Sequence, residues 1–119
     1  MIKIFTDGSV SRPRGGRSPG GWAYHFYLGK TLYEKFGGNL QNTNNRMELT
    51  AAIKALQRLQ ALGLQNEDVS ITSDSQYVIY GADRYLDGWK RVGKLKEGDT
   101  RLKNQDLWIE IDRLIPCFN

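Results

Sequence analysis

The chain has 119 residues, of which 39% are hydrophobic and 25% are charged, with a formal net charge of +4 and a pI near 9.3. This composition is typical of one globular domain, expected to span residues 1–119, and it excludes a disordered or collagen-like chain. No apolar run approaches the roughly 20 residues that cross a bilayer, which excludes a protein anchored in a membrane by helices.

The start of the chain and its cysteine content predict the compartment. Residues 2–7 resemble a strand and lack the long apolar core and small-residue cleavage site of a signal peptide. Cys117 is the only cysteine, so no disulfide can form within the chain. Both features favour a reducing cytoplasm.

Three strands are predicted in the first third of the chain. Residues 2–7 alternate between the two faces of a strand, and a loop rich in Gly and Pro follows. Residues 22–28 are aromatic-rich and strand-like, and the pair Gly29-Lys30 makes a short turn into a third strand at 31–36. Two successive hairpins of this kind predict antiparallel pairing.

Helices and one more strand are predicted after residue 44. Apolar residues recur at helical spacing from 45 to 62, and Gly63 stands where glycine commonly ends a helix. A strand at 69–73 precedes a helix at 75–83, a looser turn at 85–90 and a basic loop. The last helix is predicted over 103–115, before Pro116.

This order predicts the fold class, an α/β arrangement with a mixed sheet. The helix at 45–62 is a crossover that lets the fourth strand lie parallel to the first. The expected strand order is 3-2-1-4, with helices packed on the sheet.

Positive charge is concentrated in two segments. Residues 84–103 contain seven bases and three acids, and the loop after the first strand adds Arg12, Arg14 and Arg17. Clustered bases of this kind indicate a nucleic-acid-binding surface, although a solvated lysine-rich loop is the simpler alternative.

Three carboxylates are predicted to meet at one edge of this sheet. Asp7 and Asp74 end two neighbouring parallel strands, and Glu48 lies in the first turn of the intervening helix. Oxygen ligands without nearby Cys or His suit Mg²⁺ or Mn²⁺. Each residue also has a purely structural explanation: Asp7 as a turn residue, Asp74 as a helix N-cap, and Glu48 as part of a capping box with Asn45.

Four sequence blocks resemble type 1 ribonuclease H in their order and spacing. They are Ile4-Phe5-Thr6-Asp7-Gly8-Ser9, the run from Asn44 to Ile53, Ser73-Asp74-Ser75-Gln76-Tyr77-Val78, and Asn104-Gln105-Asp106-Leu107-Trp108. The resemblance extends from Ile2 to about Leu114. It implies hydrolysis of the RNA strand of RNA/DNA hybrids, assisted by two Mg²⁺ ions.

The resemblance also assigns residues. Asp7, Glu48 and Asp74 match catalytic metal ligands, and Gly8 adjoins them. The positions that match contacts to the hybrid are Thr43, Asn44, Asn45, Gln76 and Asn104. The stretch 89–103 resembles a basic protrusion that grips the DNA strand, with Trp89, Lys90, Arg91, Lys94 and Lys96 as its contact residues.

The family pattern continues with a fifth strand, a loop carrying a catalytic His and a helix bearing a fourth carboxylate, none of which this sequence supplies. His25 is expected to be structural, and Asp106 and Asp112 to be exposed or capping. A fragment, a chain completed by another polypeptide and a reduced variant all remain open, as does a silent hybrid-binding module. An open edge at the fourth strand predicts self-association or a complementing chain.

Overall fold

The computed structural model of the protein describes residues 2–10, 20–39, 44–64, 67–73, 75–95 and 102–114. Its strands are β1 (Ile2–Val10), β2 (Gly20–Leu28), β3 (Thr31–Asn39) and β4 (Val69–Ser73). Its helices are α1 (Asn44–Ala61), α2 (Gln76–Tyr80), α3 (Leu86–Arg91) and α4 (Gln105–Leu114), with a π-helical turn at Gly81–Tyr85. In none of these ranges is a helix long and apolar enough to span a bilayer.

The four strands form one mixed sheet in the order β3-β2-β1-β4. The β1–β2 and β2–β3 pairs are antiparallel, whereas β1 and β4 run parallel and end their pairing at Thr6 and Ser73. The predicted fold class and strand order are therefore confirmed. The first three strands are longer than predicted because their glycine-rich ends remain paired, for example Gly8 with Trp22.

The segment between β4 and the basic loop is more helical than its sequence suggests. The prediction of a loose turn at 85–90 is wrong, since residues 86–91 form α3. The reason lies in tertiary packing: Leu86 is buried in the core, and the Trp89 ring meets Trp108 edge-on at 5.3 Å. The π-helical turn precedes α3 where Gly81 packs so closely on Trp108 that an added Cβ would lie 2.2 Å from the ring.

All helices that bury apolar residues do so on one side of the sheet. One core cluster joins α1 to α2, α3 and α4, with Trp108 fully buried at its centre. A second cluster joins α1 to the sheet through the buried residues Ile2, Ile4, Tyr24, Phe26, Ala55 and Leu59. The long helix α1 is thus the element that the two clusters share.

Gly8 allows the first turn of α1 to rest directly on β1. A Cβ at Gly8 would lie 2.5 Å from the Glu48 amide nitrogen and 2.5 Å from the Met47 carbonyl carbon, both backbone atoms. Backbone cannot rotate away as a flexible side chain can, so only glycine permits this contact. The contact fixes how far Glu48 stands from the strand.

Gly8→Ala should therefore destabilise the protein by about 1–3 kcal/mol, because the added methyl overpacks the contact between β1 and α1. Gly88→Ala is the matched control, since nothing lies within 4 Å of a Cβ there and the residue is helical. The free energy of unfolding from denaturant titrations measures both. Equal unfolding free energies for the two variants would contradict the close contact.

Candidate active site

The structure removes the purely structural explanation for each of the three carboxylates. Asp7 lies inside β1, which continues to Val10, so it is not a turn residue. The N-cap of α2 is Ser75, whose Oγ accepts a hydrogen bond from the Val78 amide at 3.2 Å, so the cap position is not Asp74. Asp74 itself lies outside the described residues.

Glu48 faces β4 instead of capping its own helix. The helix already includes Asn44 and Asn45, and the Ser73 hydroxyl donates to Glu48 Oε2 at 3.4 Å. This carboxylate is only 8% exposed, which is rare for a glutamate without a specific role. The capping-box explanation is therefore wrong, and Glu48 is held beside the residue that precedes Asp74.

The strand register brings the remaining position to the same place. The β1–β4 pairing ends with Thr6 opposite Ser73, and Asp7 is the next residue of β1. The Thr6 hydroxyl is buried on the helix side, with no hydrogen-bond partner in the described part of the chain. Asp7 is exposed, and its Oδ1 accepts a hydrogen bond from the Gly8 amide at 2.9 Å.

Asp7 and Glu48 approach the strand ends from opposite sides of the sheet. Thr6 is buried beneath the helices, so alternation turns Asp7 to the other side, where it lines a cavity of about 200 Å³ with Ala23 and Phe36. In the described ranges, no three His, Cys, Asp or Glu residues form a group that could hold a metal ion. Oxygen atoms are the only donors that Asp7 and Glu48 offer, which fits a hard divalent cation such as Mg²⁺.

A hydrogen-bonded network joins the N-terminal ends of three helices close to these carboxylates. The Asn104 side chain accepts from Arg46 at 3.2 Å and donates to the Tyr77 hydroxyl at 3.1 Å. Asn104 adopts a left-handed backbone with φ of 57°, and its carbonyl accepts from the first amides of α4. Arg46 and Tyr77 directly follow Asn45 and Gln76, so three predicted contact residues are brought to one region.

Sequence reasoning missed this network because it joins residues 27 to 60 positions apart. The Tyr77 hydroxyl also accepts from the buried Trp108 indole at 3.0 Å, and Arg46 holds Asp106 through two hydrogen bonds of 2.9 and 2.7 Å. Hydrogen bonding from Arg46 lowers the pKa of Asp106. Because the Asp106 side chain is 64% exposed, the pair contributes at most about 1 kcal/mol to stability.

The basic segment is anchored by packing. Trp89, predicted to contact substrate, is partly buried between Tyr85 and Trp108, with ring centroids 5.9 and 5.3 Å away. The Gln105 side chain donates to the Lys94 carbonyl at 2.8 Å, which ties the end of this segment to α4. Trp89 therefore supports the segment that presents the bases.

Two of the predicted bases are exposed at their side chains. Lys90 lies 3.5 Å from Asp112, a weak exposed ion pair, and Arg91 is exposed as well. Lys94 is partly buried. Thr43 and Lys96 lie outside the described residues, whereas Asn44, Asn45 and Gln76 are exposed at the starts of α1 and α2.

The acids on α4 and the single histidine have structural partners. Asp106 is exposed, as predicted, and pairs with Arg46. Asp112 is partly buried beside Lys90. His25 is exposed on the side of the sheet opposite the helices and stacks on Phe5 at 4.9 Å.

Comparison with known proteins identifies the family. The sequence model of the RNase H family matches residues 1–116. A ribonuclease H of Nitrosomonas eutropha is 42% identical over 116 residues, which cover 95% of this chain and 70% of that protein. A ribonuclease H of Halorhodospira halophila is 43% identical over 114 residues, which cover 96% and 72%.

A solved structure agrees with these sequence matches at the level of the fold. LC11-RNase H1 in complex with RNA/DNA hybrid superposes with a TM-score of 0.64 at 24% identity, covering 98% of this chain and 75% of that one. The four-stranded mixed sheet, the buried Glu48 and the strand register at Asp7 are thus found in a sequence with extensive similarity to named nucleases. The chain belongs to the ribonuclease H family of nucleases.

Proposed function

We propose that this protein hydrolyses the RNA strand of RNA/DNA hybrids with the help of two Mg²⁺ ions, which Mn²⁺ can replace. One observation carries the proposal: the β1–β4 register and the α1–Gly8 contact bring the Asp7 position and Glu48 to the same edge of the sheet. The hybrid bound to LC11-RNase H1 supports the choice of substrate. The named relatives support the nuclease activity.

The metal ligands in this proposal are Asp7, Glu48 and Asp74, with the main-chain carbonyl of Gly8 beside them. When bound, two divalent ions activate a water and stabilise the leaving 3′ oxygen of an in-line displacement. Glu48 is preorganised by burial and by the Ser73 hydroxyl, so little reordering is required of it. Asp7 is exposed, which leaves its carboxylate open to an incoming phosphate and its ions.

The substrate contacts follow from the positions of the helix starts. Amide side chains at Asn45, Gln76 and Asn104 can exchange hydrogen bonds with a ribose 2′-OH, the group that distinguishes RNA from DNA. Thr43 and Asn44 are proposed to contact the adjacent backbone. The proposed contacts to DNA phosphates come from the segment that Trp89 supports, namely Lys90, Arg91, Lys94 and Lys96.

Asp7→Asn should abolish cleavage of a labelled RNA/DNA hybrid while leaving the fold intact, because the neutral amide keeps the shape of the side chain but loses the charge that attracts the ions. Asp68→Asn is the control, an exposed acid outside the proposed site. Initial rates in Mg²⁺ and in Mn²⁺ measure the effect, with circular dichroism for the fold. An Asp7→Asn protein that cuts hybrid at the parental rate would remove Asp7 from the mechanism.

Replacing Lys90, Arg91, Lys94 and Lys96 by Ala should flatten the salt dependence of hybrid binding. Each lost phosphate contact reduces the log–log slope by roughly 0.9 for duplex-like substrates. A variant with Lys30, Lys35, Lys54 and Arg58 changed to Ala removes the same charge elsewhere and is the control. If both variants show the same slope, the basic segment contributes only overall charge.

We also propose that the outer edge of β4 pairs with another polypeptide, either a second copy or a complementing chain. Within the described residues β4 is an edge strand, and beside it lies an apolar cavity of about 360 Å³. The cavity is lined by residues of four elements, including Ile71, Val78, Ala82 and Ile111. An added strand would satisfy the free edge and place an apolar side chain over this cavity.

Hydrogen exchange of the β4 amides tests this pairing. We expect exchange in β4 to slow as protein concentration rises, or when the unmatched part of the Nitrosomonas eutropha ribonuclease H is added as a separate peptide. The amides of β3, the other edge strand, are the internal control. Unchanged β4 exchange under both conditions would show that the edge has no polypeptide partner.

A further inference from the structure

The side of the sheet that faces away from α1, here called the open face, carries a strip of exposed apolar side chains. Seven large hydrophobic residues are exposed in the described chain, and four of them lie on the open face. These are Phe5 (41% exposed), Tyr27 (57%), Leu32 (41%) and Phe36 (83%). The remaining three are distributed over α2, the π-helical turn and the end of α3.

The strand register places these four residues next to one another. Tyr27 pairs with Leu32, and Phe36 pairs with Ala23 at the other end of the same two strands. Between the two pairs, His25 pairs with Phe5 of β1 and stacks on its ring. The strip is therefore continuous across β1, β2 and β3, whereas β4 contributes the polar residues Ser70 and Thr72.

The dimensions of the strip favour a single helix as its occupant. Three strands span about 10 Å across, and the four residues from Ala23 to Tyr27 span about 14 Å along the strand. An α-helix with its side chains is about 10–12 Å wide, and nine to ten residues cover about 14 Å. A stable dimer through this face would need about 800 Å² from each partner, and the strip is too small for that.

The charges around the strip favour a polypeptide over a nucleic acid. Glu34 and Asp7 lie on the open face with a single exposed lysine, Lys3, so the surface offers no excess of positive charge. A phosphate backbone requires such an excess. A helix with a base near Glu34 and an acid near Lys3 would match both charges.

We propose that the open face binds an amphipathic helix of about three turns, supplied by a polypeptide segment such as the one that relatives have in addition. More than a quarter of the Nitrosomonas eutropha protein has no counterpart in this chain, which is long enough for such a helix. The apolar side of the helix covers Phe5, His25, Tyr27 and Phe36. Its end then lies next to Asp7, which shares the open face with Ala23 and Phe36.

Binding to the isotope-labelled full chain tests this inference without metal or nucleic acid, so its failure is distinguishable from failure of the proposed nuclease function. The probe is the unmatched segment of the Nitrosomonas eutropha ribonuclease H, made as a separate peptide. His25 is the only histidine of the chain, so its imidazole signals report on the centre of the strip without ambiguity. We expect saturable shifts of these signals with a Kd below about 1 mM.

Variants separate the strip from the rest of the surface. Tyr27→Glu and Phe36→Glu together should weaken binding by roughly tenfold or more, because each puts a charge under the apolar side of the helix. Val92→Glu is the matched control, since Val92 is 58% exposed and lies away from the open face. Tyr27→Phe should bind like the parent, which separates loss of the apolar contact from loss of the hydroxyl.

Other occupants give different results. Shifts of the His25 signals that grow with protein concentration in the absence of peptide would identify a second copy as the occupant and overturn the proposal. The same shifts produced by a single-stranded RNA oligonucleotide would overturn it in favour of a base-stacking surface. Absence of peptide binding, or binding that Tyr27→Glu with Phe36→Glu leaves unchanged, would refute the open face as a helix site.

Discussion

The backbone contact between Gly8 and the first turn of α1 is the constraint on which the rest of this structure depends. It permits α1 to lie directly against β1, where an added Cβ would meet backbone atoms at 2.5 Å. From that position α1 buries one set of residues against the sheet and another against α2, α3 and α4. The same contact holds Glu48 at the strand ends, so core packing and the placement of a candidate metal ligand have one cause.

The network around Asn104 extends this constraint to the substrate side. Its bonds to Arg46 and Tyr77 link the starts of α1 and α2 to the start of α4. The Tyr77 hydroxyl in turn accepts from Trp108, which is fully buried at the centre of the core. Because buried polar groups need their partners, the network fixes the relative positions of the helix starts. The exposed amides of Asn45 and Gln76 project from this fixed support.

The sheet itself is asymmetric, with every apolar helix face on one side. On the helix side, alternate residues of β1 and β2 are buried, while Phe5 and Tyr27 on the open face remain exposed. A sheet with an apolar surface on each face is normally covered on both. The free edge of β4 and the open face adjoin Asp7 and Ser73, so both uncovered surfaces lie close to the candidate site.

The sequence by itself determined the strand order, the long helix and the family, because alternation, helical periodicity and four spaced motifs are local signals. It also selected Asp7 and Glu48 as candidates, yet it left a structural explanation open for each. Only the tertiary structure decided against those explanations, since the extent of β1 and the bond from Ser73 to Glu48 depend on pairing between distant segments. Tertiary packing likewise decided that residues 86–91 are helical, because Leu86 and Trp89 gain their partners from α4 and the core, which no local pattern records.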